Sequence, residues 1–200
     1  MKIAGLQKVS LLDYPGKVAA TVFLAGCNLD CGYCYNRWML REAEVEEALS
    51  LEALLTWLQT RVGLLDGVCL SGGEPTLHEA LPDLARRIKA LGFAVKLDTN
   101  GTRPAMLSRL LAEGLVDYVA LDVKAPLDAR YHPVAGVCVD LAALRESLGL
   151  LRASGVAYEL RTTVGPRLSA DDLLDLAALM LPHEAWHLQP FWATEGVREL

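Results

Sequence analysis

Short apolar runs alternate with longer amphipathic runs along the 200-residue chain. Apolar runs of four to nine residues bounded by glycine or polar residues predict buried strands, and apolar positions spaced three and four apart predict helices. The predicted strands span residues 21–25, 67–71, 93–97, 116–123, 156–164 and 184–191. The predicted helices span residues 50–61, 79–91, 104–113, 140–154 and 169–180, with Ser50 and Ser169 as predicted N-caps and Gly155 as the residue that ends the fourth helix. The pattern therefore predicts a repeated strand–helix unit.

This alternation predicts an α/β fold with a parallel sheet and right-handed crossovers. The strands are apolar over most of their length, which is typical of strands buried on both faces. A doubly wound open sheet, a closed barrel and an incomplete barrel all fit the pattern, although six units are too few for an eight-stranded barrel. No linker or low-complexity stretch interrupts the chain, so we expect a single domain.

Unusual polar residues follow the predicted strands at their carboxyl ends. They include the cysteine loop that starts at Cys27, the segment 71–75, the segment 98–101, Asp122 with Lys124, the segment 161–163, and Gln189. In parallel α/β folds this edge of the sheet is where binding and catalytic sites form. Because six separate elements converge there, the pattern favours an enzyme.

Charge and hydropathy narrow the class of partner. The chain has 19 basic and 25 acidic residues, a net charge of −6, and no basic run, which argues against a nucleic-acid or anionic-membrane partner. No apolar run reaches about 18 residues, and the first residues lack the apolar stretch of a signal peptide. We therefore expect a cytoplasmic protein with neither nucleic acid nor membrane as partner.

Three of the five cysteines, Cys27, Cys31 and Cys34, form a C-x3-C-x2-C motif. An iron–sulfur cluster held by three thiolates would leave one iron open to another ligand. A zinc site, or three cysteines packed as small apolar residues, would also place them close together. Cys69 lies inside a predicted strand and is expected in the core, and Cys138 is assigned no role. The four histidines show no metal-ligand spacing.

The motif, in a loop after the first predicted strand of a β/α repeat, resembles that of the radical S-adenosylmethionine (SAM) superfamily. The resemblance implies an incomplete (β/α)6 TIM-like barrel, a [4Fe–4S] cluster on the three cysteines, and SAM bound to the open iron. It divides residues 1–200 into a leader (1–18), a partial barrel (19–192) and a tail (193–200), all one domain. The SAM contacts that it implies are Tyr33, Gly72, Gly73, Glu74, Asp98 and Lys124.

The assignments of the glycine pair, Asp98 and Lys124 have structural alternatives. The glycine pair could be a tight turn, and Asp98 could belong to an Asx-turn that precedes Asn100 and Gly101. Lys124 could be a surface ion-pair partner. Asp122 is as well placed in sequence to hold Lys124 as to touch a ligand.

The segment from Leu6 to Ala20, with Asp13-Tyr14-Pro15-Gly16 at its centre, resembles the leader of activating proteins for anaerobic ribonucleoside-triphosphate reductase. Two positions depart from related activases. Tyr35 follows the last cysteine where many relatives have histidine, and Trp192 stands where pyruvate formate-lyase activases have a SAM-contacting histidine. That histidine contact is therefore not carried over to this chain.

The resemblance implies an oxidoreductase for anaerobic chemistry. Reductive cleavage of SAM would yield a 5′-deoxyadenosyl radical that takes a hydrogen atom from a glycine of a partner enzyme. A one-electron donor such as flavodoxin or ferredoxin would reduce the cluster, and no side chain would act as acid or base. Two alternatives stay open: a radical SAM enzyme for a small molecule, like the 7-carboxy-7-deazaguanine synthases, and a non-enzymatic iron–sulfur or zinc protein.

Overall fold

The computed structural model describes residues 1–45, 49–193 and 197, which form one seven-stranded sheet in the order β1 to β7. The strands are β1 (Ile3–Ser10), β2 (Ala19–Leu24), β3 (Gly67–Gly72), β4 (Ala94–Thr99), β5 (Tyr118–Asp122), β6 (Ala157–Val164) and β7 (Trp186–Pro190). All neighbouring pairs from β2 to β7 are parallel. The six predicted strands are therefore present, and the sheet is an open partial barrel in which β1 and β7 form the two edges.

Strand β1 is the one strand of the described sheet that the sequence pattern does not predict. It pairs antiparallel with β2, so part of the segment interpreted as a leader belongs to the sheet. Only Ile3 and Ser10 of its eight residues are buried, and the stretch Gln7 to Val9 is exposed. Because half of the strand faces solvent, it lacks the continuous apolar run that marks the parallel strands. The predicted tail, 193–200, lies outside the described residues except for Ala193 and Val197.

Six α-helices lie between the strands in the described part of the chain. They are α1 (Leu51–Gln59), α2 (Leu81–Ala90), α3 (Pro104–Ala112), α4 (Tyr131–Ala135), α5 (Leu141–Ser154) and α6 (Ala170–Leu179). The sequence does not predict α4, which has only five residues. The expected caps are present: the Ser50 side chain accepts a hydrogen bond at the start of α1, and Ser169 with Asp172 forms a capping box on α6.

The strands place apolar side chains against the helices and polar side chains inside the partial barrel. Leu70, Leu97 and Leu160 lie in the main hydrophobic core with the helices. Because side chains alternate along a strand, their neighbours point to the opposite face. Lys96 and Glu159, which lie in the middle of β4 and β6, are buried there. The sequence analysis points to polar residues at the strand ends, and the structure adds these two inside the strands.

The segment after β1 covers the end of the barrel opposite the cysteine loop. Tyr14 is 2% exposed and its ring centroid lies 5.9 Å from that of Tyr118. A Cβ atom on Gly67 would lie 3.0 Å from the Tyr14 ring. The Thr21 hydroxyl donates a hydrogen bond to Asp13 at 2.6 Å. Within the described residues, no helix has both the length and the apolar composition needed to cross a membrane.

Candidate active site

Backbone hydrogen bonds hold the cysteine loop, residues 26–36, between the end of β2 and helix α4. Near its start, the backbone N–H groups of Gly26 and Cys27 donate to the carbonyl groups of Met39 and Leu40 at 2.8 and 2.9 Å. In its middle, the Asp30 N–H donates to Ala135 at 2.9 Å. The loop is thus supported on two sides by other parts of the chain.

Two glycines allow this close support. A Cβ atom on Gly73 would lie 2.1 Å from the carbonyl oxygen of Gly26, and one on Gly136 would lie 2.1 Å from the carbonyl oxygen of Asp30. Real Cβ atoms do not approach other atoms so closely, so both positions require glycine. The Glu74 N–H donates to Gly26 at 2.8 Å, which ties the turn after β3 to the cysteine loop. Gly72 and Gly73 therefore do more than form a tight turn, because Gly73 lets the turn after β3 contact the cysteine loop.

All nine residues predicted to bind the cluster or SAM line one pocket at the carboxyl ends of the strands. They are Cys27, Cys31, Tyr33, Cys34, Gly72, Gly73, Glu74, Asp98 and Lys124. This convergence of separate chain segments is the arrangement that the sequence analysis expects. The individual contacts to the cluster and SAM remain predictions.

The three cysteines can supply thiolates to a metal cluster. Burial raises the pKa of Cys27 to about 12, and burial also raises the pKa of Cys31. Both thiols are therefore neutral without metal, and a metal centre would displace their protons. In the described part of the chain, no three Cys, His, Asp or Glu side chains converge on one ion. In a [4Fe–4S] cluster each thiolate binds a different iron, so the sulfurs need not converge.

Tyr33 lies beside the cysteines with its hydroxyl buried. The residue is 7% exposed. Its side chain lowers the pKa of the neighbouring Cys31 thiol, against the larger effect of burial. Its ring centroid lies 6.0 Å from the Lys124 ammonium nitrogen. Tyr33 therefore lies in the pocket wall between the cysteines and Lys124.

Glu74 lies in the pocket wall, where neighbouring residues donate hydrogen bonds to its carboxylate. The residue is 1% exposed. It accepts hydrogen bonds from the Thr99 hydroxyl at 2.7 Å, the Asn100 N–H at 2.6 Å, and both the N–H and the hydroxyl of Thr76. Burial raises the pKa of Glu74, against the effect of these hydrogen bonds. Its geometry is that of a residue that joins the ends of β3 and β4.

Asp98 belongs to a chain of ion pairs at the base of the pocket. It accepts from the Lys96 ammonium at 2.7 Å and from the Ser71 hydroxyl at 3.1 Å, and it lies 3.3 Å from Arg161. The Arg161 guanidinium also donates to Asp122 at 3.0 Å. Asp98 is therefore an interior ion-pair member, which excludes a simple turn-forming role.

Lys124 is held by Asp122, with its ammonium 3.2 Å from that carboxylate. Its side chain is 12% exposed, which excludes the alternative of a surface ion pair. Burial alone would lower the pKa of Lys124, but Asp122 together with Tyr33, Cys31 and Tyr131 outweighs burial and raises the pKa well above its ordinary value. The ammonium is therefore charged at neutral pH and suited to a carboxylate.

Sequence reasoning misses several residues that shape this site. The sequence marks Arg161 only as a polar residue at the end of a strand, yet it links Asp98 to Asp122. It marks Asn100 only as part of a turn, although the Asn100 side chain contacts Asn28 in the cysteine loop at 3.0 Å. Arg161 lies in the carboxyl half of a predicted strand, and Asn100 follows another. This position is the sequence signal that could have marked them as site residues.

Tyr35 and Trp192 lie together at the pocket rim. The Trp192 N–H donates to the Tyr35 hydroxyl at 2.7 Å, and the Tyr35 ring stacks on Phe191 with centroids 6.1 Å apart. Trp192 is 69% exposed. The two departures from the activase pattern thus contact each other.

Cys69 lies in the core, as the sequence analysis expects, and two histidines contact backbone groups. Cys69 is fully buried in β3 and Cys138 is exposed. A ring nitrogen of His78 lies 2.9 Å from the Ala25 carbonyl oxygen, and the His132 ring accepts from the Val139 N–H. These contacts are structural.

Comparison with known proteins agrees with this geometry. The sequence pattern of the Radical SAM superfamily matches residues 21–180. Protein MJ1227 of Methanocaldococcus jannaschii, named as a candidate glycyl-radical enzyme activating enzyme, is 34% identical over 94% of this chain and 79% of its own length. A 7-carboxy-7-deazaguanine synthase of Methanopyrus kandleri is 32% identical over 56% of this chain and 52% of its own length.

A solved structure shares the fold. Streptococcus suis SuiB bound to S-adenosylmethionine superposes with a TM-score of 0.69 over 90% of this chain and 44% of the SuiB chain, at 15% identity. The present chain thus spans most of the archaeal relative but about half or less of the synthase and of SuiB. The match of the superfamily's sequence pattern to residues 21–180 shows that this chain belongs to the radical SAM superfamily.

Proposed function

We propose that this protein is a glycyl-radical enzyme activase whose partner is anaerobic ribonucleoside-triphosphate reductase. The observation that carries the proposal is the convergence of the three-cysteine loop, Glu74, Asp98 and Lys124 on one pocket in an open barrel. The relative named as an activating enzyme matches 94% of this chain, whereas the deazaguanine synthase matches 56%. The leader sequence supports the particular partner.

Enzymes of this superfamily use a [4Fe–4S] cluster and SAM, which when bound supply reductive cleavage of the sulfonium and hydrogen-atom abstraction. We propose Cys27, Cys31 and Cys34 as the cluster ligands. Lys124, held by Asp122, would bind the SAM carboxylate, and Asp98 would present a carboxylate to its ammonium. Tyr33 would pack against the bound groups and exclude water from them.

Substrate access follows from the edges of the sheet. Strands β1 and β7 are not paired with each other, so the barrel has an open side along β7. His187 and Leu188 of β7 are both about half exposed, and Gln189 reaches the pocket. An open side supports a segment of another protein as substrate. A one-electron donor such as flavodoxin or ferredoxin would reduce the cluster.

The test is to mix the reconstituted, reduced protein with SAM and anaerobic ribonucleoside-triphosphate reductase under nitrogen. We expect a glycyl-radical doublet in the EPR spectrum, which collapses when the reductase carries deuterated glycine. Pyruvate formate-lyase in place of the reductase tests the choice of partner, and the Cys31→Ala variant is the control for the chemistry. SAM cleavage without a doublet on any glycyl-radical enzyme would favour a small-molecule substrate instead.

A further inference from the structure

The side chain of Asn28 connects the cysteine loop to the end of β4. Its amide oxygen accepts a hydrogen bond from the Asn100 amide at 3.0 Å, and its amide nitrogen donates to the Thr102 hydroxyl at 2.8 Å. The Thr102 hydroxyl in turn donates to the Asn100 amide oxygen at 2.7 Å. The three side chains form a closed hydrogen-bonded ring across 72 residues of sequence.

The ring is attached to a rigid support. The Asn100 N–H donates to the buried Glu74 carboxylate at 2.6 Å, and the Thr102 N–H donates to the Asn100 amide oxygen at 3.0 Å. Asn100 is 5% exposed. Asn28 is itself exposed, so burial does not fix its side chain; its two hydrogen bonds do. The Asn28 side chain therefore links the cysteine loop to the ends of β3 and β4.

The position of Asn28 bears directly on a cysteine sulfur. Asn28 lies between Cys27 and Leu29, and the Leu29 N–H donates to the Cys27 sulfur at 3.4 Å. A hydrogen bond of this kind stabilises negative charge on a cluster ligand, and such bonds help to set the reduction potential of iron–sulfur clusters. Rotation of the backbone at Asn28 would turn the Leu29 N–H away from the sulfur.

We propose that Asn28 is a positioning residue: through Asn100 and Thr102 it holds the Leu29 N–H on the Cys27 sulfur and so raises the reduction potential of the cluster. The proposal rests on the superfamily's cluster and on these contacts. It does not require a glycyl-radical partner, and its test contains none.

Two variants break the ring at different points. Asn28→Ala removes both hydrogen bonds of the loop residue, and Thr102→Val removes the hydroxyl without changing the loop sequence. We expect both to lower the midpoint potential in an EPR-monitored redox titration without SAM. We also expect a chelator to remove iron roughly tenfold faster, since each lost hydrogen bond weakens the loop.

Two matched variants serve as controls. Thr102→Ser keeps the hydroxyl and should restore wild-type behaviour. Asn36→Ala removes the same amide from the same loop, where among the described residues that amide has no hydrogen-bond partner, and should leave the potential unchanged. An unchanged potential in Asn28→Ala, or an equal shift in Asn36→Ala, would overturn the proposal. If Asn28→Ala takes up no iron, the comparison of Thr102→Val with Thr102→Ser decides.

Discussion

The Glu74 carboxylate accepts the backbone N–H of Asn100 at 2.6 Å and thereby joins the turn after β3 to the turn after β4. Four donors of the chain surround this carboxylate: the N–H and hydroxyl of Thr76, the Thr99 hydroxyl and the Asn100 N–H. A carboxylate is required because it accepts at both oxygens. The residue that most resembles a family signature is thus also a structural tie between two strand ends.

Glu74→Gln should therefore destabilise the protein even without cofactors. If the amide oxygen replaces the oxygen that faces Thr76 and Thr99, the amide NH₂ group meets the Asn100 N–H, donor against donor. We expect a loss of about 2 kcal/mol in unfolding free energy from the buried group left unsatisfied. Urea denaturation of the metal-free protein measures it. The control is Glu52→Gln, whose carboxylate is exposed and pairs with Arg87 at the surface. A loss no larger than the control's would contradict this account.

Gly73→Ala should be strongly destabilising, because the new Cβ atom meets the Gly26 backbone at 2.1 Å. Backbone cannot move aside as a flexible side chain can, so we expect a loss of about 3 kcal/mol or more, at the upper end for overpacking. Gly149→Ala is the matched control in α5, where a Cβ atom meets nothing within 4 Å. It should stabilise the protein by up to about 1 kcal/mol. Equal urea denaturation midpoints for Gly73→Ala and Gly149→Ala would contradict the close approach of Gly73 to the Gly26 backbone.

Asp122 should make stability depend on acid pH. Burial would raise the pKa of Asp122, but Lys124 and Arg161 outweigh burial and lower it from 3.8 to about 2. The unfolded chain therefore binds this proton first, and the stabilisation present above about pH 4 is lost as the pH falls toward 2. The contribution is about 2 kcal/mol. In Asp122→Asn the unfolding free energy should no longer show this loss between about pH 4 and pH 2. In Asp83→Asn, at an exposed site, the loss should remain. Urea unfolding curves recorded across this pH range measure both.

Iron content should separate the five cysteines. Cys27→Ala, Cys31→Ala and Cys34→Ala should each lose the cluster after anaerobic reconstitution, because each removes one of three thiolates. Cys138→Ala should keep about four iron atoms per chain, since Cys138 is exposed and outside the pocket. Cys69→Ala should also keep iron but lose about 1 kcal/mol of stability, as a large-to-small change in a buried strand. Equal iron loss in all five variants would show that the ligand assignment is wrong.

Local sequence signals predict the parts of this fold that depend on neighbouring residues. The caps Ser50 and Ser169, and Gly155 after α5 with φ of 71°, act within one helical turn, and the structure confirms all three. The parallel strands are predictable because burial on both faces makes them continuously apolar. Strand β1 escapes prediction because its outer half faces solvent.

Long-range side-chain contacts cannot be predicted from the sequence in the same way. Topology predicts that Asp98 and Lys124 share a rim, but it does not predict that Arg161 bridges Asp98 to Asp122. The Asn28–Asn100 contact joins residues far apart in the chain, and neither residue stands in a distinctive spacing. Such pairings depend on the register between neighbouring strands. The hydrophobic pattern specifies the face of the sheet on which a side chain lies, but not the residue opposite it.

The fit of the cysteine loop between Gly73 and Gly136 has a consequence for loss of the cluster. The loop is held on both sides by backbone contacts that use none of its three cysteine side chains. Zinc fingers differ, since they fold only when the ion arrives. Removing iron and sulfide from this protein would leave those backbone contacts in place, so we expect the rest of the chain to stay folded.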